Sequence, residues 1–197
     1  MKRLLLVLFI ALSTQQLWAD NWLTNGDFST GIDGWHGDGR SLSEYISSNP
    51  INMGTNLPNN GLVIELRSDK WSKITQDFNG MASSGTMTIT FMVSDDFAFS
   101  TDGSYYKNIP KKIDYEGWKS FNIPAGSMLV FLSDLGKAEG TYYPFKPLAP
   151  GKASTQTFTA KVSGMTPNLD KSIALAFPPG TGVIILLNVS IDSGDNN

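Results

Sequence analysis

The 197-residue chain contains no cysteine, which excludes disulfides, thiolate metal sites, iron–sulfur clusters and cysteine nucleophiles together. It has one histidine, His36, so a site that needs two imidazoles is excluded as well. A basic surplus is also missing: 15 Lys and Arg face 18 Asp and Glu, a formal charge of −3. Nothing here is built to neutralise a phosphate backbone, so no nucleic-acid partner is expected. No apolar run reaches the roughly 20 residues that cross a bilayer as a helix, so no membrane insertion is expected. What the chain does have is 41% hydrophobic residues against 17% charged, enough for a packed core at the size of one domain.

Residues 1–19 read as a secretory signal peptide. Lys2 and Arg3 form the positive start, Leu4 to Leu12 the apolar centre, and Ala19 the small residue before a cut. A lipoprotein is excluded, because that signal needs a cysteine to carry the lipid. Cleavage would remove Lys2 and Arg3 and take the charge from −3 to −5. The expected product is a secreted or periplasmic protein made of residues 20–197 as a single domain, with core packing as its whole support.

From Asp20 onward no amphipathic helix is evident, and apolar residues alternate instead. Leu62, Ile64 and Leu66 oppose Val63, Glu65 and Arg67. Ile74 and Phe78 follow, then Met87, Ile89, Phe91 and Val93 between threonines. The rhythm returns at Met128, Val130 and Leu132, at Phe158, Ala160 and Val162, and at Ile173, Leu175 and Phe177. Val183, Ile185, Leu187, Val189 and Ile191 form the longest run and are expected to share one face. A period of two means strands with one buried face. Gly, Pro, Asn, Asp and Ser punctuate between the runs. The expectation is all-β: two antiparallel sheets packed face to face as a sandwich. Two stretches, 95–124 and 133–152, are less regular, and the prolines of the second confine it to loop or strand edge.

The two ends of the chain carry a resemblance. After the leader comes Leu23-Thr24-Asn25-Gly26-Asp27-Phe28, then Gly31 and Gly34-Trp35; the last run reads Ile185-Leu186-Leu187-Asn188-Val189-Ser190-Ile191. This pairing resembles the galactose-binding-like β-sandwich, a jelly roll. Within it, the pairing resembles especially the carbohydrate-binding modules that open with N-G-x-F…G-W and close with a D-V-S-L type strand. The resemblance implies an exported, non-catalytic protein that recognises a polysaccharide or another glycan. Physically, Phe28 and Trp35 read as core plugs, and Gly26, Gly31 and Gly34 as turn positions with positive φ. In the resembling modules these ends often hold a structural Ca²⁺. Here Ser29 stands where a Glu is frequent and Asn188 where an Asp is frequent, while Asp27 and Asp192 offer replacement oxygens. The same residues serve equally as Asx turn caps, so the metal stays open, and no other cofactor is expected.

Sugar recognition needs flat rings against C–H faces. Trp71 is out of phase with Ile74 and Phe78 and is expected to face away from the core or to sit in the preceding turn. Trp118, Tyr105, Tyr106, Tyr142 and Tyr143 lie in the irregular stretches. These six are the candidate ligand-binding residues; the alternative for each is packing a loop onto the sandwich. Catalysis is not expected. No spacing singles out a pair of carboxylates for glycoside hydrolysis, and no serine has the G-x-S-x-G setting of a nucleophile. His36 sits in the turn-like Gly34-Trp35-His36-Gly37-Asp38-Gly39-Arg40. The other readings are a structural or adhesive surface protein that binds another protein, and a small glycan hydrolase.

Overall fold

Alternating apolar residues build two five-stranded antiparallel sheets, as the sequence rhythm predicts. The computed structural model describes residues 21–48, 58–79, 83–100, 126–135, 140–145 and 155–193. In chain order the elements are β1 (His36–Gly37), β2 (Gly39–Ser41), α1 (Leu42–Ser48), β3 (Leu62–Glu65), β4 (Ser72–Asn79) and β5 (Gly85–Val93). There follow β6 (Ala98–Phe99), β7 (Met128–Asp134), β8 (Gly140–Phe145), β9 (Gln156–Val162), β10 (Asp170–Phe177), β11 (Gly180–Thr181) and β12 (Val183–Ser193). One sheet has the order β1-β4-β10-β7-β8 and the other β2-β3-β12-β5-β9; β6 and β11 form a separate small ribbon.

One apolar cluster joins the sheets. Ile74, Phe78, Val130, Leu132, Ile173 and Leu175 come from the first sheet, and Ile64, Met87, Ile89, Phe91, Ile184 and Leu186 from the second. Both Phe28 and Trp35 belong to it, their ring centroids 5.6 Å apart. The two are therefore core residues, as their size predicts. Pro144 lies on β8, which is the edge of its sheet, where a missing N–H is tolerated.

Three features depart from the sequence reading. The last strand does not keep one phase, because its pairing with β5 shifts between Leu186 and Asn188. This β-bulge sends Ile184 and Leu186, then Val189 and Ile191, into the main core. Val183 and Ile185 instead form a second cluster with Leu42, Tyr45, Val63 and Met92, with Leu187 packed against it. That cluster exists because of the second feature, the short helix α1, which supplies Leu42 and Tyr45. Its start is capped by Ser41, whose Oγ accepts the Glu44 N–H at 3.3 Å. The third is Gly26, which is not a positive-φ position. A Cβ there would lie 2.1 Å from the Val189 carbonyl oxygen, so close backbone approach is what requires glycine. Gly31 and Gly34 do have φ of 72° and 79°.

The same approach ties the two ends of the described chain. Gly26 accepts from the Val189 N–H at 2.8 Å, Trp22 N–H donates to Ile191 at 3.0 Å, and Asn21 bridges Asp192. A buried ionic knot closes another part of the first sheet. Lys171 has no exposed surface, and its Nζ donates to the carbonyls of Thr166 and Leu169 at 2.7 Å each. Asp134 stands 3.8 Å from that ammonium and accepts from both N–H and hydroxyl of Thr166.

Candidate functional site

The short stretch His36-Gly37-Asp38-Gly39-Arg40 reads as a turn, and it is one of a particular kind. β1 pairs with β4 in the first sheet, whereas β2 pairs with β3 in the second. The chain thus crosses from one layer to the other at Asp38. The crossing is tight: a Cβ on Gly37 would meet the Lys73 carbonyl oxygen at 2.1 Å, and one on Gly39 would meet Leu62 Cδ2 at 2.5 Å. Gly37 also has a φ of 129°. Asp38 is pinned on both sides of its peptide. Its N–H donates to the Lys73 carbonyl at 2.9 Å, and its Oδ2 accepts the Lys73 N–H at 2.9 Å.

Beside this corner lies an open groove of about 220 Å³. Gly37, Asp38, Gly39 and Arg40 line it from the corner and Glu65 and Arg67 from β3 and just beyond, with buried Tyr45 and Val63 beneath. Tyr45 and Val63 are buried, so the floor is rigid and partly apolar. Arg67 Nη2 lies 3.9 Å from Asp38 Oδ1, an exposed and loose pair. Arg40 and Glu65 are exposed and make no ion pair among the described residues. Burial first, then the nearby charges of Glu65 and Asp96, hold the Tyr45 phenol above its ordinary value near 10; Arg40 acts in the opposite direction. The groove therefore presents two carboxylates and two guanidiniums, hydrogen-bonding groups of both kinds, over a protonated phenol. Reading the segment as a turn gave no hint of this, because the partners Glu65 and Arg67 come from β3 and the residues just after it.

The six rings expected to bind ligand fare differently. Trp71 takes one of its two expected places, just before β4, but it is only 6% exposed, and the expectation that it is an open ligand-binding ring is corrected. It is indeed out of phase with Ile74, and it is covered all the same. A large apolar ring left in water forfeits about 25 cal/mol per Å² of its surface, which favours closing over it. Tyr143 is half-buried and packs against the main core, and burial raises its phenol pKa. Tyr142 lies on β8, opposite Phe131 of β7, and its side chain falls outside the described residues. Tyr105, Tyr106 and Trp118 all lie outside the described residues. Among the described side chains no Trp, Tyr or Phe ring is exposed; Trp22, Phe99, Tyr143 and Phe158 are half-buried against the core.

The side-chain oxygens at the paired ends already serve the local backbone. Asn25 spans its own turn, donating to the carbonyls of Gly31 and Asp33 at 3.1 Å and accepting from Thr30. Asp27 Oδ1 accepts from the N–H and hydroxyl of Ser29. Asn21 Oδ1 accepts from the N–H groups of Leu23 and Ile191, and Asp192 from the Ser190 hydroxyl. Each of these side chains serves as a cap in its own turn.

No family model and no curated protein matches the chain. Solved structures do. The fold is similar to that of TmCBM61, solved in complex with β-1,4-galactotriose. The TM-score is 0.54 at 11% identity, over 89% of this chain and 99% of that one. It is similar also to part of an arabinose-bound α-L-arabinofuranosidase, MgGH51. There the TM-score is 0.54 at 12% identity, over 88% of this chain and 26% of the enzyme, about a quarter of its length. The CBM22-2 xylan-binding domain of Xyn10C from Paenibacillus barcinonensis is a further match, with a TM-score of 0.49 at 12% identity. At such identities the likeness concerns the fold: the chain has the jelly-roll β-sandwich of the carbohydrate-binding modules.

Proposed function

We propose that residues 20–197 form an exported, non-catalytic module that binds glycans, delivered by the leader at residues 1–19. The observation that carries this reading is the extent of the match: 89% of this chain corresponds to 99% of a self-contained carbohydrate-binding module. In the arabinofuranosidase, by contrast, the chain corresponds to 26% of a whole enzyme. Trp118, Tyr105, Tyr106, Tyr142 and Tyr143 are the rings proposed to stack on sugar faces, with neighbouring Asp, Asn and Lys side chains orienting hydroxyls. Such contacts are shallow, so affinity for one sugar unit is low and grows with the number of units engaged.

Intrinsic tryptophan fluorescence, titrated with a panel of soluble plant, algal and bacterial polysaccharides, tests the reading. A saturable change with at least one polysaccharide, weakened by Trp118→Ala with the thermal midpoint unmoved, is the expected result. No response to any glycan, together with retention of a protein in pull-downs, makes the chain an adhesive or structural protein instead. Release of reducing sugar that stops on replacing one Asp or Glu makes it a hydrolase.

A further inference from the structure

We infer that the corner groove between β1, β2 and β3 is a binding site for one neutral saccharide ring, gripped by its adjacent hydroxyls. The inference rests on the glycan-binding reading and adds a place and a chemical class to it. Three properties of the groove carry it.

The first is size. About 220 Å³ lies below the roughly 300–1,000 Å³ of sites that engulf drug-sized ligands, and matches one ring rather than a chain. The second is charge balance. Two carboxylates, Asp38 and Glu65, and two guanidiniums, Arg40 and Arg67, line it together. A vicinal diol presents donors and acceptors side by side, so it can give protons to a carboxylate while accepting from a guanidinium. A uronate would bring its negative charge against Asp38 and Glu65. An amino sugar would bring its ammonium against Arg40 and Arg67. The lining carries no net charge to favour a ligand of either sign, whereas a neutral diol uses both kinds of group at once. The third is preorganisation. Asp38 is held by the Lys73 backbone, the flanking glycines admit no side chain, and buried Tyr45 and Val63 supply a floor for C–H groups. Arg40 and Glu65, exposed and without ion pairs among the described residues, are ready to meet hydroxyls with little to break.

The test is ¹H–¹⁵N NMR on the intact protein, titrated with the methyl glycosides of glucose, galactose, mannose and xylose, and with glucuronate and glucosamine as charged comparators. At least one neutral glycoside is expected to shift the Gly37, Asp38 and Gly39 amides in a saturable way. Glu65→Gln combined with Arg40→Ala should weaken that response about tenfold with an unchanged melting temperature, while both charged sugars bind more weakly. Shifts confined to other parts of the molecule, or a response the double variant leaves intact, would overturn the groove assignment while leaving glycan binding standing. Tighter binding of glucuronate or glucosamine would overturn the chemical class. If polysaccharides alter the fluorescence but none of the four glycosides moves the groove amides, the groove assignment alone fails.

Discussion

Single residues decide how much of this sandwich is negotiable. Lys171 is the clearest case, a cation with no exposed surface that satisfies two carbonyls and faces Asp134. Replacing it by Met leaves Asp134 charged and buried, and is expected to cost about 3–5 kcal/mol in urea unfolding. The double replacement Lys171→Met with Asp134→Leu should recover part of that loss, which a double-mutant cycle reads directly. Gly26→Ala pushes a methyl into the Val189 carbonyl and is expected to destabilise by about 1–3 kcal/mol. Tyr45 gives a pH signature. Its phenol, like that of Tyr143, has a raised pKa in the folded state, so stability is intact below the ordinary value near 10 and falls as the pH climbs beyond it. Tyrosinate absorbance should show these phenols ionising late, and Tyr45→Phe should soften the alkaline loss of stability. Phe28 and Trp35 were readable in advance because big rings beside turn glycines have few other places to go. Trp71 and Lys171 were not. Strand phase tells which face a residue takes, not whether that face is covered, and the carboxylate that faces Lys171, that of Asp134, lies in a different strand.

At the level of elements, period two located the long strands and failed where geometry broke the period. β12 reads as one uninterrupted run, yet the extra residue at Leu187 divides it between two clusters on opposite faces of the sheet. Deleting Leu187 would throw one half out of phase, and loss of cooperative unfolding by circular dichroism is the expected outcome. Helix α1 was legible in principle: Ser41 and Glu44 have the spacing of a capping box, with Leu42 and Tyr45 on one side. Its seven residues are too few for a helical period to stand out from strand alternation. Leu42→Ala should loosen the small cluster beneath it at a cost of about 2–5 kcal/mol. The groove escaped the sequence reading for a different reason. Glycines around Asp38 announce a turn, but only the pairing of β1 and β2 with different layers shows that the turn is a corner facing β3.

For the molecule as a whole, the jelly roll follows from many short alternating segments separated by turn residues, and that much the chain carries locally. Ligand choice is not carried that way, since one scaffold of this kind serves many partners. Stability rests on the packed layers without a covalent staple, because there is no cysteine to form one. The joined ends matter most under load. Asn21 and Asp192 leave the body side by side, in antiparallel register, with Trp22–Ile191 and Gly26–Val189 next in line. A tug on both tails therefore falls on these bonds one after another, like a zipper, rather than on all of them at once. In an optical trap the domain should yield at low force from this seam, while a pull between β4 and β5 should meet much greater resistance.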